Sequence, residues 1–380
     1  MSWIKVIDQD DAIEQLSVAL NSTSKMTNTW LFAGPPGSGR STLALEFAVR
    51  ILLKSISNAR TLVESNAHPD VEVLGASGLT IKIDAVRSMI AKAAIFPTLG
   101  NRKIFIIKDA DRMTTEAQNA LLKSIEEPEE YMIWILCAPT THDVLPTISS
   151  RARVVNLRLA RTGSIEKLLV SEGVDNKKAA EVARLSNGHI GIARKLALNS
   201  ELYEQRLSNS ELALSVNYVS DAVYSAQILI KNAENLFKQL LDEEFEQKIR
   251  KLHLNLGLEE DEVVPAKLQH YFKAVEDEKK SQEKRQLRDL LDVSLQEILM
   301  VYRDISLLQA GANSDLIINL HLIDKLVVYA KSMTITETAL KIECVECARD
   351  RINNNLGASG QLVLEAMFAA LLIPTRALVH

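Results

Sequence analysis

The sequence predicts an α/β domain built on a five-stranded parallel sheet, followed by a small helical segment and a larger all-helical region. Three observations carry that expectation. Short apolar runs alternate with helical patterns over residues 1–160. A glycine-rich turn joins the first of those runs directly to a helix. After about residue 161 the strand signals nearly vanish. The divisions read as 1–160, 161–209 and 210–380, and a chain of 380 residues is long enough for two or three cores.

The elements follow in order. Thr29–Ala33, "TWLFA", is a buried strand ending in the glycine-rich loop, and Thr42–Leu53 has helical apolar spacing behind it. Val71–Gly75 reads as a second strand, and Ile83–Ala94 as a helix with Asp84 near its start. Lys103–Asp111 is a third strand with a charged exit. Thr114–Pro128 is a helix that proline stops. Met132–Ala138 and Arg153–Leu159 are the fourth and fifth strands. Ser164–Leu198 reads as three short helices with turns near Gly173 and Asn187-Gly188. Beyond them the clearest helix runs from about Glu283 to Gln309, with Leu287, Leu290, Leu291, Leu295, Ile298, Leu299, Tyr302 and Ile305 on one stripe. The charged run before it, "VEDEKKSQEKRQ", suits a solvated face.

Composition narrows the function classes. A formal net charge of -5 argues against a free-standing nucleic-acid binder, though not against a local patch inside an assembly. The N-terminus is amphipathic and acidic rather than a signal peptide, and no apolar run approaches membrane-spanning length. Three cysteines suit a reducing compartment, so the expected location is the cytoplasm.

The loop Gly34-Pro35-Pro36-Gly37-Ser38-Gly39-Arg40-Ser41-Thr42 fits the phosphate-binding pattern G-x-x-x-x-G-K-[ST] except at Arg40. Such a loop works because backbone N–H groups and a helix N-terminus present partial positive charge to phosphates. Gly34, Gly37 and Gly39 supply the backbone freedom, and Ser41 the hydroxyl for Mg²⁺. Arginine keeps the charge, but its planar fork does not replace a compact ammonium against the β/γ-phosphates. Binding can survive that change; efficient hydrolysis is not expected.

A working site needs two adjacent acids at the end of another strand, one for Mg²⁺ and one for water. Here Ile104–Ile107 is followed by Lys108-Asp109-Ala110-Asp111. If the metal position directly follows the apolar run it is Lys108, which would oppose a metal by about 4 kcal/mol per unit charge at short range. Shifted by one, Asp109 holds the metal and the water-activating position is Ala110. Either register lacks one carboxylate. An ATPase of unusual spacing would need Asp111 to reach back across Ala110.

Residues 103–153 resemble the core of bacterial clamp-loader subunits of the AAA+ class. The family's NALLK-x-x-EEP is similar to Asn119–Lys123 followed by Glu126-Glu127-Pro128. Its sensor strand resembles "WILCAPTTHDVLPTI", with Thr140 as the sensor-1 residue. Its Ser-Arg-Cys motif resembles Ser150-Arg151-Ala152. The resemblance covers about residues 1–200 with several ordered motifs; beyond that it rests on the helical pattern alone. The family's motor subunits keep the loop lysine and an Asp-Glu pair. Lys108-Asp109-Ala110, "HPDV" at His68–Val71, and Gly191 at the sensor-2 position resemble the family's non-motor subunits instead; Arg194 lies about one turn further on.

The resemblance implies an AAA+ P-loop domain, a helical lid and a collar, in a stator subunit of the DNA polymerase III clamp loader. Its partners would be the gamma/tau and delta subunits of a hetero-pentamer and, through the complex, the sliding clamp and primed DNA, with no membrane. Arg151, with Ser150, would be an arginine finger acting in a neighbour's ATP site, an effect on the order of 10³–10⁵ in rate; Arg153 is the alternative arginine. The competing class is an active ATPase motor subunit of the gamma/tau kind, which Arg40, Lys108 and Gly191 argue against. ATP is expected to be bound, if at all, without hydrolysis. No metal site is expected: residues 51–67 lack the cysteines of a zinc module, and Cys344 and Cys347 read as two buried helix cysteines.

Overall fold

The computed structural model describes residues 3, 6–22, 26–65, 67–75, 80–235, 249, 269–354 and 360–372. The chain divides into two compact units, residues 1–194 and 195–380.

The first unit is built on five strands: β1 Thr29–Ala33, β2 Val71–Leu74, β3 Lys103–Ile107, β4 Met132–Ala138 and β5 Arg153–Asn156. They form one parallel sheet in the order β2-β3-β4-β1-β5. β1, β3 and β4 are buried along their whole length, which is why they read as continuous apolar runs rather than alternating ones. Alternate residues supply two cores. Trp30, Phe32, Ile104, Ile106, Ile133, Ile135 and Cys137 face one way, against helices α1 Asp10–Asn21, α2 Arg40–Leu52 and α3 Ala59–Glu64. Leu31, Phe105, Ile107, Trp134 and Leu136 face the other way, against α4 Ile83–Ala93 and α5 Thr115–Glu126. Trp30 meets Phe47 edge-on with ring centroids 5.1 Å apart, and Phe105 and Trp134 lie 4.8 Å apart across the opposite face.

β5 is three residues shorter than the sequence suggests, and the reason is packing. Leu157 closes under Gly34, where a Cβ would sit 2.7 Å from the Leu157 carbonyl oxygen, and Leu159 closes on Gly188. The Leu157 N–H still bonds the carbonyl oxygen of Ala33, the last residue of β1 (2.7 Å), and past it the apolar pattern runs on without strand pairing. After the short helix α6 Pro146–Ser149 and β5 come three helices, α7 Thr162–Ser171, α8 Asn176–Leu185 and α9 Ile190–Leu198. The turns between them fall at Gly173 and at Asn187-Gly188, all with positive φ.

The second unit is helical throughout its described residues. Its longest helix, Gln269–Gln309, begins about two heptads before the expected start and takes in the charged run. Of the anticipated stripe, Leu291, Leu295, Ile298, Tyr302 and Ile305 are buried, and Leu287, Leu290 and Leu299 pack partly buried against them. A buried polar network crosses this core: Arg206 pairs with Glu297, and Asn209 donates to Glu297 Oε2 (2.9 Å) and Ser294 Oγ (3.3 Å). Cys344 is half-buried, its Sγ 3.8 Å from the Met367 carbonyl oxygen, but Cys347 is exposed. The expectation of two buried cysteines fails at Cys347 because it lies about 100° round the helix from Ala348, which faces the core.

Candidate functional site

The carboxyl ends of β1, β3 and β4 converge on one edge of the sheet, which is where open α/β folds bind ligands. The loop leaves β1 with the Gly34 N–H bonded to the Ala138 carbonyl oxygen at the end of β4 (3.2 Å). Gly37 and Gly39 both adopt φ of +88°, and Gly39 forms the N-cap of α2 with no side-chain cap. That leaves the helix N-terminus to a ligand rather than to the chain.

Two residues that the sequence did not flag shape this loop. Gln9, buried just before α1, donates from Nε2 to the carbonyl oxygens of Ser38 (3.2 Å) and Arg158 (2.6 Å). Its Oε1 accepts from the Arg158 N–H (3.2 Å), so one amide ties the loop to the end of the sheet. His189, leading into α9, lies over Gly37 so closely that a Cβ there would stand 2.3 Å from the imidazole ring. Its Nδ1 accepts from the Ile192 N–H (3.2 Å). Neither residue belongs to a local pattern, and only the fold brings them to the loop.

The polar groups of the loop are otherwise under-used. Arg40 Nη1 and Ser38 Oγ are buried without a hydrogen-bond partner. An orphaned buried guanidinium nitrogen beside a bare helix N-terminus fits an anionic phosphate group. The fit to a divalent metal is poor. β3 ends at Ile107, so Lys108 follows it directly, its N–H bonded to the Leu74 carbonyl oxygen (2.9 Å). Asp109 precedes a 3₁₀ turn over Ala110–Arg112, and Ala110 is fully buried. Burial, and then the neighbouring Asp109 charge, push the Asp111 carboxyl above the usual carboxylate range despite the attraction of Arg112 and Arg40. Cys137, on β4 within the field of the same groups, is pushed up to about 12 by burial and is no nucleophile at neutral pH.

The other anticipated residues are placed as follows. Thr140 spends its hydroxyl in a capping box: Oγ1 donates to Asp143 Oδ2 (2.8 Å) and accepts from the His142 N–H (3.2 Å). The T-x-x-D spacing that produces this was present in the sequence and went unread. Gly191 carries no side chain toward the loop, and Arg194 pairs with Glu172, with Nε 3.0 Å and Nη2 2.6 Å from Oε1. The buried Asp70 of "HPDV" accepts from the N–H groups of Thr98 (2.5 Å), Leu99 (2.8 Å) and Gly100 (3.0 Å). Burial raises its carboxyl, but these three donors outweigh that and hold it below its ordinary value. It is a brace for the loop that leads into β3.

Arg151 lies elsewhere. It borders an open groove of about 730 Å³ with Met26–Thr29, at the amino end of β1, and with Ile125–Pro128, which lead into β4. Gln118, near the start of α5, holds the residue that precedes α6: its Oε1 accepts from the Leu145 N–H (2.7 Å), and its Nε2 donates to the Met113 carbonyl oxygen (3.3 Å). Ile148, fully buried, anchors α6, so that Ser150 and Arg151 emerge from a fixed turn. Arg153 instead lies over the Trp30 ring at 5.3 Å, a cation–π contact within the fold. Among the described residues no group of His, Cys, Asp and Glu could hold a metal ion, and no helix is long and apolar enough to cross a membrane.

Several known proteins are similar to this chain. A family model described as DNA polymerase III, delta subunit, matches residues 8–160. The Bacillus subtilis DNA polymerase III subunit delta' is 24% identical over 95% of this chain and 96% of its own length. The delta' subunit of Pseudomonas aeruginosa is 31% identical over 35% of this chain and 43% of its own. The gamma/tau subunit of Mycobacterium tuberculosis is 30% identical over 44% of this chain and 30% of its own. The solved structure of a gamma-subunit-related protein from Thermotoga maritima covers 94% of this chain at 17% identity with a TM-score of 0.40. The chain is similar to the delta' subunit of Bacillus subtilis DNA polymerase III along nearly its whole length.

Proposed function

We propose that this chain is the non-motor, stator subunit of a bacterial DNA polymerase III clamp loader. It would assemble with gamma/tau and delta subunits into a cytoplasmic hetero-pentamer that places the sliding clamp on primed DNA. In that assembly it lends Arg151 to a neighbour's ATP site while its own loop hydrolyses nothing.

One observation carries this reading: Arg151 stands at the opposite end of β1 from the chain's own phosphate loop. Five strand residues at about 3.3 Å each separate the two ends by about 17 Å, more than an arginine side chain can span. An exposed arginine on a braced turn is therefore placed to act on another molecule. A guanidinium so delivered stabilises charge on a transferring phosphoryl group without any chemistry of its own.

At the chain's own loop, the backbone of Gly37–Thr42 and the orphaned Arg40 Nη1 would hold a nucleotide phosphate. Nucleotide bound there would supply a phosphate for the loop to close around. Hydrolysis is a different matter, because Lys108 and Ala110 leave the metal and water positions short of one carboxylate. ATP would then be held without turnover, as a structural ligand.

The test is the clamp- and DNA-stimulated ATPase of the reconstituted complex. Arg151→Ala should slow hydrolysis by the share of the one bordering site, with ring assembly and nucleotide binding intact. Arg153→Ala should leave turnover near wild type. Equal rates for wild type and Arg151→Ala, or a larger defect from Arg153→Ala, would remove the finger assignment.

A further inference from the structure

Arg151 has partners within its own chain. Its Nη2 lies 2.9 Å from Glu126 Oε1, at the end of α5, and Nη1 donates to the Thr147 carbonyl oxygen (3.1 Å) and to Ser150 Oγ (3.4 Å). Each terminal nitrogen that a phosphate would use already has a partner within the chain. A guanidinium presents its paired N–H groups as a fork, and carboxylate and phosphate compete for the same fork.

We infer that Glu126 is the counter-ion that parks the finger, so that engaging a neighbour's phosphate is an exchange of one oxyanion partner for another. The inference rests on the finger reading of Arg151 given above. Three features favour exchange over a fixed structural pair. The two side chains are 43% and 45% exposed, so neither is locked in place by packing. They line the same open groove, where an incoming group can approach the guanidinium. The Thr147 and Ser150 bonds come from the finger's own turn and keep the side chain oriented when the carboxylate lets go. Glu126 thus acts as a positioning residue: it sets how much of the time the finger is available and never touches the reacting atoms. Glu127, on the same groove, is the next carboxylate along and serves as a control.

An exposed pair of this kind is weak, so its release is easy and its effect modest. In the reconstituted complex, Glu126→Gln should raise the clamp- and DNA-stimulated ATPase of the bordering site by up to about fivefold. Glu126→Asp, which keeps the charge, should fall between the variant and wild type, and Glu127→Gln should lie close to wild type. The gain from Glu126→Gln should shrink as salt is raised within the range where the complex stays assembled, because screening weakens the parked pair in the wild type. It should also vanish in an Arg151→Ala background, the coupling expected of a contacting pair. A purely structural role for Glu126 would produce neither the salt trend nor the coupling.

The outcomes separate cleanly. If Arg151→Ala slows turnover but Glu126→Gln matches wild type, the parking role is wrong and the finger stands. If Glu126→Gln slows turnover as much as Arg151→Ala, Glu126 holds the finger in its working pose, and competition is ruled out. If Arg151→Ala changes nothing, the finger reading fails first and the inference falls with it. Thermal unfolding of each variant alone should match wild type, which guards against a folding defect in disguise.

Discussion

At the carboxyl end of β1, Arg40 is the first residue of α2, and its Nη1 is buried with no partner. At the amino end of the same strand, Arg151 is exposed and has three partners. The two arginines have opposite relations to phosphate. Arg40 sits in a loop beneath His189 and braced by Gln9, but Lys108 and Ala110 stand where a hydrolytic site needs carboxylates. Arg151 has no phosphate loop beside it, and it emerges from the turn that the buried Ile148 anchors. On the proposed reading, the contrast teaches that a nucleotide-type fold can lose its own reaction and keep geometry for another subunit's, because the two would reside at opposite ends of one strand.

The largest expected effect separates braces from business ends. Asp70→Ala removes a buried carboxylate and leaves three backbone N–H groups without their acceptor, so it should cost about 2–4 kcal/mol in denaturant unfolding. The same carboxylate makes the wild type acid-sensitive. Its folded pKa lies below the ordinary value, so its contribution is present above about pH 4 and is lost as pH falls through the lower, folded value. Asp70→Asn should flatten that part of the stability profile; an unchanged acid limb would mean that the brace contributes nothing.

Next comes Gly37→Ala. A side chain at φ +88° is strained in any case, and this one would meet the His189 ring at 2.3 Å. The expected cost is about 1–3 kcal/mol, together with greater protease sensitivity around residues 186–192. Near-neutral stability would show that His189 does not rest on the loop.

Much of this was legible in the sequence, and the rest was hidden for identifiable reasons. β1, β3 and β4 are fully buried, so their apolar runs announce them, and the three lid helices are punctuated by residues that tolerate positive φ. The end of β5 is hidden because β1 stops at Ala33 while Leu157 and Leu159 stay apolar to close on Gly34 and Gly188. The charged start of helix Gln269–Gln309 gives no apolar period, so nothing local marked it. The loop and Ser150-Arg151 were found by motif. Gln9 and His189 were not, since their partners lie 29 and 152 residues away. The Glu126–Arg151 pair joins two motifs that were each recognised but that only the fold sets side by side.

The most direct measurement compares the two ends of β1 in one assay. In the reconstituted clamp loader, with clamp and primed DNA present, Ser41→Ala disables this chain's own loop and Arg151→Ala disables its outward arginine. Neither should alter the fold of the subunit appreciably, since an exposed Arg151 contributes little to stability. The expected result is an unchanged ATPase rate with Ser41→Ala and a rate reduced by one site's share with Arg151→Ala. A rate that falls with Ser41→Ala and holds with Arg151→Ala would contradict the assignment, because the chain would then be burning its own nucleotide rather than serving a neighbour's.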